Sequence, residues 1–135
     1  MLKEINEVIK LAKDTNTEVY VVGGYVRDFL LKKKTLDIDL VVSENAELFA
    51  KKLAKKINGK CFVLHSDLQV YRVAVKNNPD MEYIDISLMQ GKNIKEDLSR
   101  RDFTVNALAV KIENFDDIKK NLTDYFGGLK DLKKK

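Results

Sequence analysis

Asp37 and Asp39 flank a single isoleucine. Two acids one residue apart on a strand point the same way, about 7 Å from each other along it, and can hold hard cations such as Mg²⁺. Upstream, Gly23-Gly24 closes an apolar run. Glycine amides approach an anion closely because no Cβ intervenes, and a helix starting there aims its first amides and partial positive charge at the same anion. Carboxylates for a metal and amides for a phosphate together describe phosphoryl-group chemistry. Arg27, one helical turn past Gly24, adds a guanidinium with the bidentate geometry that suits phosphate. Each feature has a plainer use: Asp-x-Asp as a polar strand end in solvent, and Arg27 as a salt bridge to Asp28.

A site for two Mg²⁺ ions needs more oxygen ligands than one acid pair supplies. In Tyr83 to Leu88 the alternation puts Ile84, Ile86 and Leu88 on one face and leaves Asp85 on the other, beside Tyr83 and Ser87. Glu82 falls on the core side by parity, so Asp85 is the expected third carboxylate.

The elements that must position these residues follow from periodicity. Leu2, Ile5, Ile9 and Ala12 recur at helical spacing and predict a helix over 2–14. Val19 to Val22 reads as a buried strand, Tyr25 to Leu31 as a short helix, and Leu36 to Val42 as a strand with Asp37 and Asp39 on its polar face. Ala46, Phe49, Ala50, Leu53, Ala54 and Ile57 share one face of a helix over 44–57, which Asn58-Gly59 terminates. Strands are expected at 60–64, 68–76 and 82–88, the last two joined as a hairpin by Asn77-Asn78-Pro79-Asp80. A short helix over 94–101 leads into Asp102 to Val110. The sum is a mixed sheet of about five strands backed by helices, an α/β or α+β domain.

At 135 residues and 44% apolar content the chain suits one compact domain. It has no apolar run of membrane-spanning length and no apolar stretch near its start, so the expectation is a cytoplasmic protein without a membrane partner. The net charge of +4 says little about nucleic acid, because the last six residues carry +3 of it as a lysine-rich tail. The only cysteine, Cys61, sits in the apolar string Cys61-Phe62-Val63-Leu64 and reads as a buried, inert thiol. His65 reads as a surface-turn residue; Tyr71 and Arg72 serve cross-strand packing or flank a ligand, and Tyr125 and Phe126 are expected to dock the C-terminal segment on the core.

Val22-Gly23-Gly24-Tyr25-Val26-Arg27-Asp28, then Asp37-Ile38-Asp39, then Arg100-Arg101-Asp102-Phe103-Thr104-Val105-Asn106-Ala107 stand in an order and spacing that resemble the head domain of class II tRNA nucleotidyltransferases and bacterial poly(A) polymerases. Tyr125 to Leu132 is similar to the segment that closes that domain, so the resemblance covers residues 18–132. It implies a polymerase-β-like nucleotidyltransferase fold. Asp37, Asp39 and Asp85 would be catalytic and would ligate two Mg²⁺ ions. Gly23, Gly24 and Arg27 would hold a triphosphate, with Arg101, Asp102 and Asn106 as a second nucleotide-binding segment. The implied reaction moves a nucleotide from CTP or ATP to the 3′-hydroxyl of a tRNA or other RNA. A poly(A) polymerase head domain, or a nucleotide-binding module without turnover, are the alternatives. The family continues into helical neck, body and tail domains that choose the base and grip the RNA. Residues 1–135 are expected to be a single head domain that acts weakly alone, or with a separate helical partner.

Overall fold

The computed structural model describes residues 3–101 and 107–133. Along the chain run α1 (Lys3–Thr15), β1 (Val19–Val22), α2 (Gly24–Leu30), β2 (Asp37–Val42), α3 (Ala46–Lys56), β3 (Lys60–His65), β4 (Val70–Ala74), β5 (Tyr83–Leu88), α4 (Ile94–Ser99), β6 (Leu108–Lys111), a 3-10 segment (Ile112–Asp117), β7 (Thr123–Asp124) and α5 (Gly128–Lys133). The strands form one sheet in the order β3-β4-β5-β2-β1-β6-β7. Seven described strands stand where about five are expected. The two additions, β6 and β7, span four and two residues, too few for alternation to register.

Among the described strands only β2 and β5 pair in parallel; every other neighbour is antiparallel. A parallel pair needs a crossover, and here α3 and the β3–β4 hairpin make it. The β4–β5 hairpin forms as the sequence predicts.

One face of the sheet carries the main core. Ile38, Leu40 and Val42 of β2, Ile84 and Ile86 of β5, and Val19 and Val21 of β1 pack there with Ile5, Val8 and Leu11 of α1 and Phe49, Ala50 and Leu53 of α3. The buried stripe of α1 is Ile5, Val8, Leu11 and Ala12, with Ile9 at its margin. At roughly 1.5–3 kcal/mol per buried large aliphatic side chain, this face holds most of the fold together. At the end of α3, Asn58 takes the left-handed conformation (φ 56°). Gly59 is required for a different reason: a Cβ there would overlap the carbonyl of Ala74.

The opposite face has a smaller apolar cluster. Tyr20 and Val22 of β1, Val41 of β2 and Ala109 of β6 pack with Met89, Ile94 and Leu98, so α4 covers one end of this face.

Two expectations fail at the edges. Phe62, Val63 and Leu64 are exposed because β3 is the outermost strand of the sheet; Cys61 beside them is half-buried against the core, and burial pushes its thiol pKa up. Tyr125 and Phe126 are also exposed, at 49% and 37%. They pack edge-to-face on each other, with the Lys95 ammonium over the Tyr125 ring, instead of docking on the core. His65 is a surface residue whose Nδ1 accepts the Leu68 N–H. No described helix is long and apolar enough to cross a membrane.

Candidate active site

Strand register builds the site. Asp39 pairs with Val22 on one side and with Asp85 on the other, and Asp85 pairs in turn with Arg72. Residues directly opposite one another project from the same face. One row across four strands therefore reads Val22, Asp39, Asp85, Arg72, on the face opposite the main core. Asp37 stands one step along β2, paired with Tyr83, on that same face. The strand-to-strand spacing of about 4.8 Å puts the Asp39 and Asp85 backbones side by side.

Apolar neighbours set the electrostatics. Val22 and Val41 beside Asp39 are fully buried, and the carboxyl is pushed up from 3.8 to about 6. Burial is the largest cause, and the Asp85 charge adds to it; Arg101 opposes the shift, Asp37 raises it further and Arg72 lowers it. A group in this condition gains from any cation that arrives.

Gly23 forms the wall beside Asp39. Its φ is +68° with ψ −137°, a glycine-favoured region outside the left-handed helix that costs other residues roughly 1–3 kcal/mol. A Cβ built on it would lie 3.4 Å from Asp39 Oδ2 and 3.6 Å from Arg101 Nη1. Gly23 thus sits where the acid row and Arg101 meet. From the seven-residue α2, Arg27 folds back so that Nη2 lies 3.4 Å from where a Gly24 Cβ would be. Its Nε donates to Asp28 Oδ1 at 3.1 Å, so the salt bridge and the position beside the diglycine coexist.

Arg101 follows α4 and is held by it. Its Nη2 donates to Asp97 Oδ2 at 3.3 Å, while Asp97 Oδ1 accepts the Gln90 N–H at 2.8 Å. Asp97 is 5% exposed. Arg101 Nε is buried without a hydrogen-bond partner, an unspent donor within the site. A cavity of about 340 Å³ opens next to it, lined by Val70, Ser87, Gln90, Asp97, Arg100 and Arg101 among others. Asp102 and Asn106 lie outside the described residues.

Structure thus gathers Asp37, Asp39, Asp85, Gly23 and Arg101, with Gly24 and Arg27 on the adjoining turn. Asp85 also carries an ion pair. Arg72 Nε and Nη2 donate to Asp85 Oδ1 and Oδ2 at 2.8 and 3.0 Å. Among the described residues no three acidic, histidine or cysteine side chains converge closely enough to hold a metal ion. Asp97 was not singled out by the sequence reading, although an acid four residues before Arg101 on a helix is a recognisable pair. The local sequence leaves Arg72 between packing and ligand roles because its register to Asp85 is a tertiary fact.

A family model described as "Poly A polymerase head domain" matches residues 19–135. The A-adding tRNA nucleotidyltransferase of Aquifex aeolicus is 38% identical over 125 residues, covering 86% of this chain and 15% of the relative. The CC-adding tRNA nucleotidyltransferase of Geobacter sulfurreducens is 37% identical, covering 93% of this chain and 27% of the relative. Among solved structures, a Thermotoga maritima CCA-adding enzyme complexed with tRNA superposes with a TM-score of 0.80 at 40% identity, over 96% of this chain and 30% of that one. The chain spans less than a third of the length of each of these three.

Proposed function

The chain belongs to the poly(A) polymerase head-domain family, and from that premise we propose that it is the catalytic head domain of a template-independent RNA nucleotidyltransferase. It transfers a nucleotide from CTP or ATP to the 3′-hydroxyl of a tRNA in CCA addition and releases pyrophosphate. The observation that carries this reading is the in-register pair Asp39–Asp85 beside Asp37, flanked by Gly23 and Arg101. The chain's similarity to an A-adding and a CC-adding tRNA nucleotidyltransferase supports the tRNA acceptor.

Mg²⁺ fits the Asp37–Asp39 end of the row, where burial first and the Asp85 charge second raise the proton affinity of Asp39, a cost that a bound cation relieves. Bound there, with phosphate oxygens of the substrate as further ligands, it would neutralise the triphosphate and acidify the attacking hydroxyl. The residues of the chain do the positioning. Asp37 and Asp39 fix where charge is compensated, Gly23 and Gly24 let the triphosphate approach the backbone, and Arg27 and Arg101 hold its oxygens. Asp102 and Asn106 extend the Arg101 segment in this scheme. Catalysis then comes from in-line placement and charge neutralisation rather than from a covalent step. On this reading residues 1–135 are one head domain working in the cytoplasm with helical RNA-gripping elements, on the same polypeptide or on a partner.

The test is extension of two acceptors, a tRNA lacking its 3′ CCA and an oligo(A), with labelled CTP or ATP and Mg²⁺. Label on the tRNA supports the proposal. Label on oligo(A) alone moves the assignment to poly(A) synthesis. Nucleotide binding with no extension of either acceptor leaves a binding module.

A further inference from the structure

Beyond the acids, the site face changes character toward the edge of the sheet. Strand register continues the catalytic row outward: Asp39 pairs with Asp85, Asp85 with Arg72, and Arg72 with Phe62. The neighbouring row runs Asp37, Tyr83, Ala74 and Lys60. Register partners share a face, so β4 and β3 present Arg72, Phe62 and Lys60 on the side that carries the carboxylates. Burial agrees with this parity, because Cys61, Tyr71 and Val73, the alternate residues of these two strands, pack on the main core. Negative charge on β2 and β5 thus gives way, strand by strand, to rings and positive charge. The apolar cluster under α4 covers the other end of this face, over β1, β2 and β6. The β3 end is open: Phe62 is 49% exposed, Lys60 is exposed, and the Arg72 guanidinium lies 4.4 Å over the Tyr83 ring. Edge strands usually carry charge where solvent meets them, so an exposed phenyl ring in line with the acids calls for a ligand.

We propose that Phe62 and Lys60 of β3, with Arg72 and Tyr83 beside them, form a platform for the single-stranded 3′ end of the acceptor RNA. Rings that stack on bases, set among cations that neutralise phosphates, are what binding of a single strand requires. A base stacks on Phe62, and Lys60 meets a phosphate next to it. Phe62 stands three strand spacings from Asp39, about 14 Å, so the nucleotides preceding the reactive end cross β3 while the terminal hydroxyl reaches the acids. Charge sets the path of the strand: its upstream phosphates are repelled by the carboxylates and attracted by Lys60 and Arg72. A second protein chain pairing along the β3 edge would cover Val63 as well as Phe62, whereas RNA on the platform uses only the face that holds Phe62. The inference rests on the nucleotidyltransferase reading above and supplies an acceptor contact within it.

Binding of a short single-stranded RNA with 2-aminopurine near its 3′ end tests the platform without turnover. Titrated in EDTA, the unsubstituted protein should quench the fluorophore as it binds. Phe62→Ala should bind about tenfold more weakly and lose the quenching, while Phe62→Tyr, which keeps the ring, should stay within about twofold. Phe62→Leu, which keeps apolar bulk without the ring, serves if Phe62→Ala unfolds, and should also lose the quenching. Lys60→Gln should lower the slope of log affinity against log salt by about 0.7, the share of one phosphate on a single strand; Phe62→Ala should leave that slope unchanged. Val63→Ala alters an exposed residue on the opposite face of the same strand, and should bind RNA as the unsubstituted protein does. Undiminished binding in Phe62→Ala overturns the proposal. An equal loss in Val63→Ala also overturns it and marks β3 as an edge that pairs with another chain. Failure of the unsubstituted protein to bind the RNA while it binds CTP with Mn²⁺ overturns the platform alone; failure to bind either overturns the nucleotidyltransferase reading.

Discussion

Asp97 holds Arg101 in place: one carboxylate oxygen accepts the Arg101 Nη2–H at 3.3 Å and the other accepts the Gln90 N–H at 2.8 Å. A single buried acid thus ties the arginine beside Gly23 to the start of the turn before α4. Asp97→Asn keeps an acceptor for Gln90 and removes the charge that faces Arg101. Its expected result is several-fold weaker nucleotide binding with a stability loss under about 1 kcal/mol. Asp97→Ala leaves the Gln90 N–H unsatisfied as well and should cost about 1–3 kcal/mol. Nucleotide titration together with denaturant unfolding of both variants checks this.

Asp39 should make the metal-free protein less stable as pH rises. Its carboxyl is pushed up from 3.8 to about 6 by burial first and then by the Asp85 charge, so the folded state holds the proton more tightly than the unfolded chain does. The stability this contributes is present below about pH 4 and lost as pH rises through about 6. Asp39→Asn, which does not titrate, should therefore be more stable than the unsubstituted protein at pH 8 by about 1–3 kcal/mol, from the size of the shift. The difference should vanish near pH 4, and Mg²⁺ should narrow it at pH 8. Chemical denaturation at the two pH values in EDTA and in Mg²⁺ measures it.

Gly23→Ala tests the backbone of the turn. With φ at +68° and ψ at −137° the added methyl group costs roughly 1–3 kcal/mol in conformation alone. It also places carbon 3.4 Å from Asp39 Oδ2, where an incoming phosphate would approach. Thermal unfolding should show the first effect, and a nucleotide affinity lowered beyond what the stability loss explains should show the second.

At the sheet edge, Val63 is 59% exposed on β3. An exposed apolar edge strand invites pairing with another chain. Val63→Lys should leave unfolding free energy within about 0.5 kcal/mol and reduce self-association in light scattering at high protein concentration.

Much of this architecture was legible in the sequence because its signals are local. The continuous apolar run Val19–Val22, the alternation in Asp37–Val42, and the helical stripe from Ala46 to Ala54 place the strands and helix where the structure has them. Asp37, Asp39 and Gly23 declared themselves by spacing, and strand parity put Asp85 on their face. What stayed hidden depends on pairing between distant segments. That Arg72 meets Asp85 follows from the β4–β5 register, and that Phe62 to Leu64 are exposed follows from β3 being last in the sheet. Apolar residues on an edge strand read like core until the strand order is known. Tyr125 and Phe126 misled for the same reason: aromatic type suggests docking, but nothing in the local sequence shows whether a surface is there to receive them.

Transfer of labelled nucleotide to a tRNA lacking its 3′ CCA, compared between the unsubstituted protein and Asp39→Ala in Mg²⁺, bears most directly on the central claim. The account predicts incorporation that falls by orders of magnitude in Asp39→Ala while circular dichroism shows the fold intact. Incorporation at an undiminished rate in Asp39→Ala would contradict it.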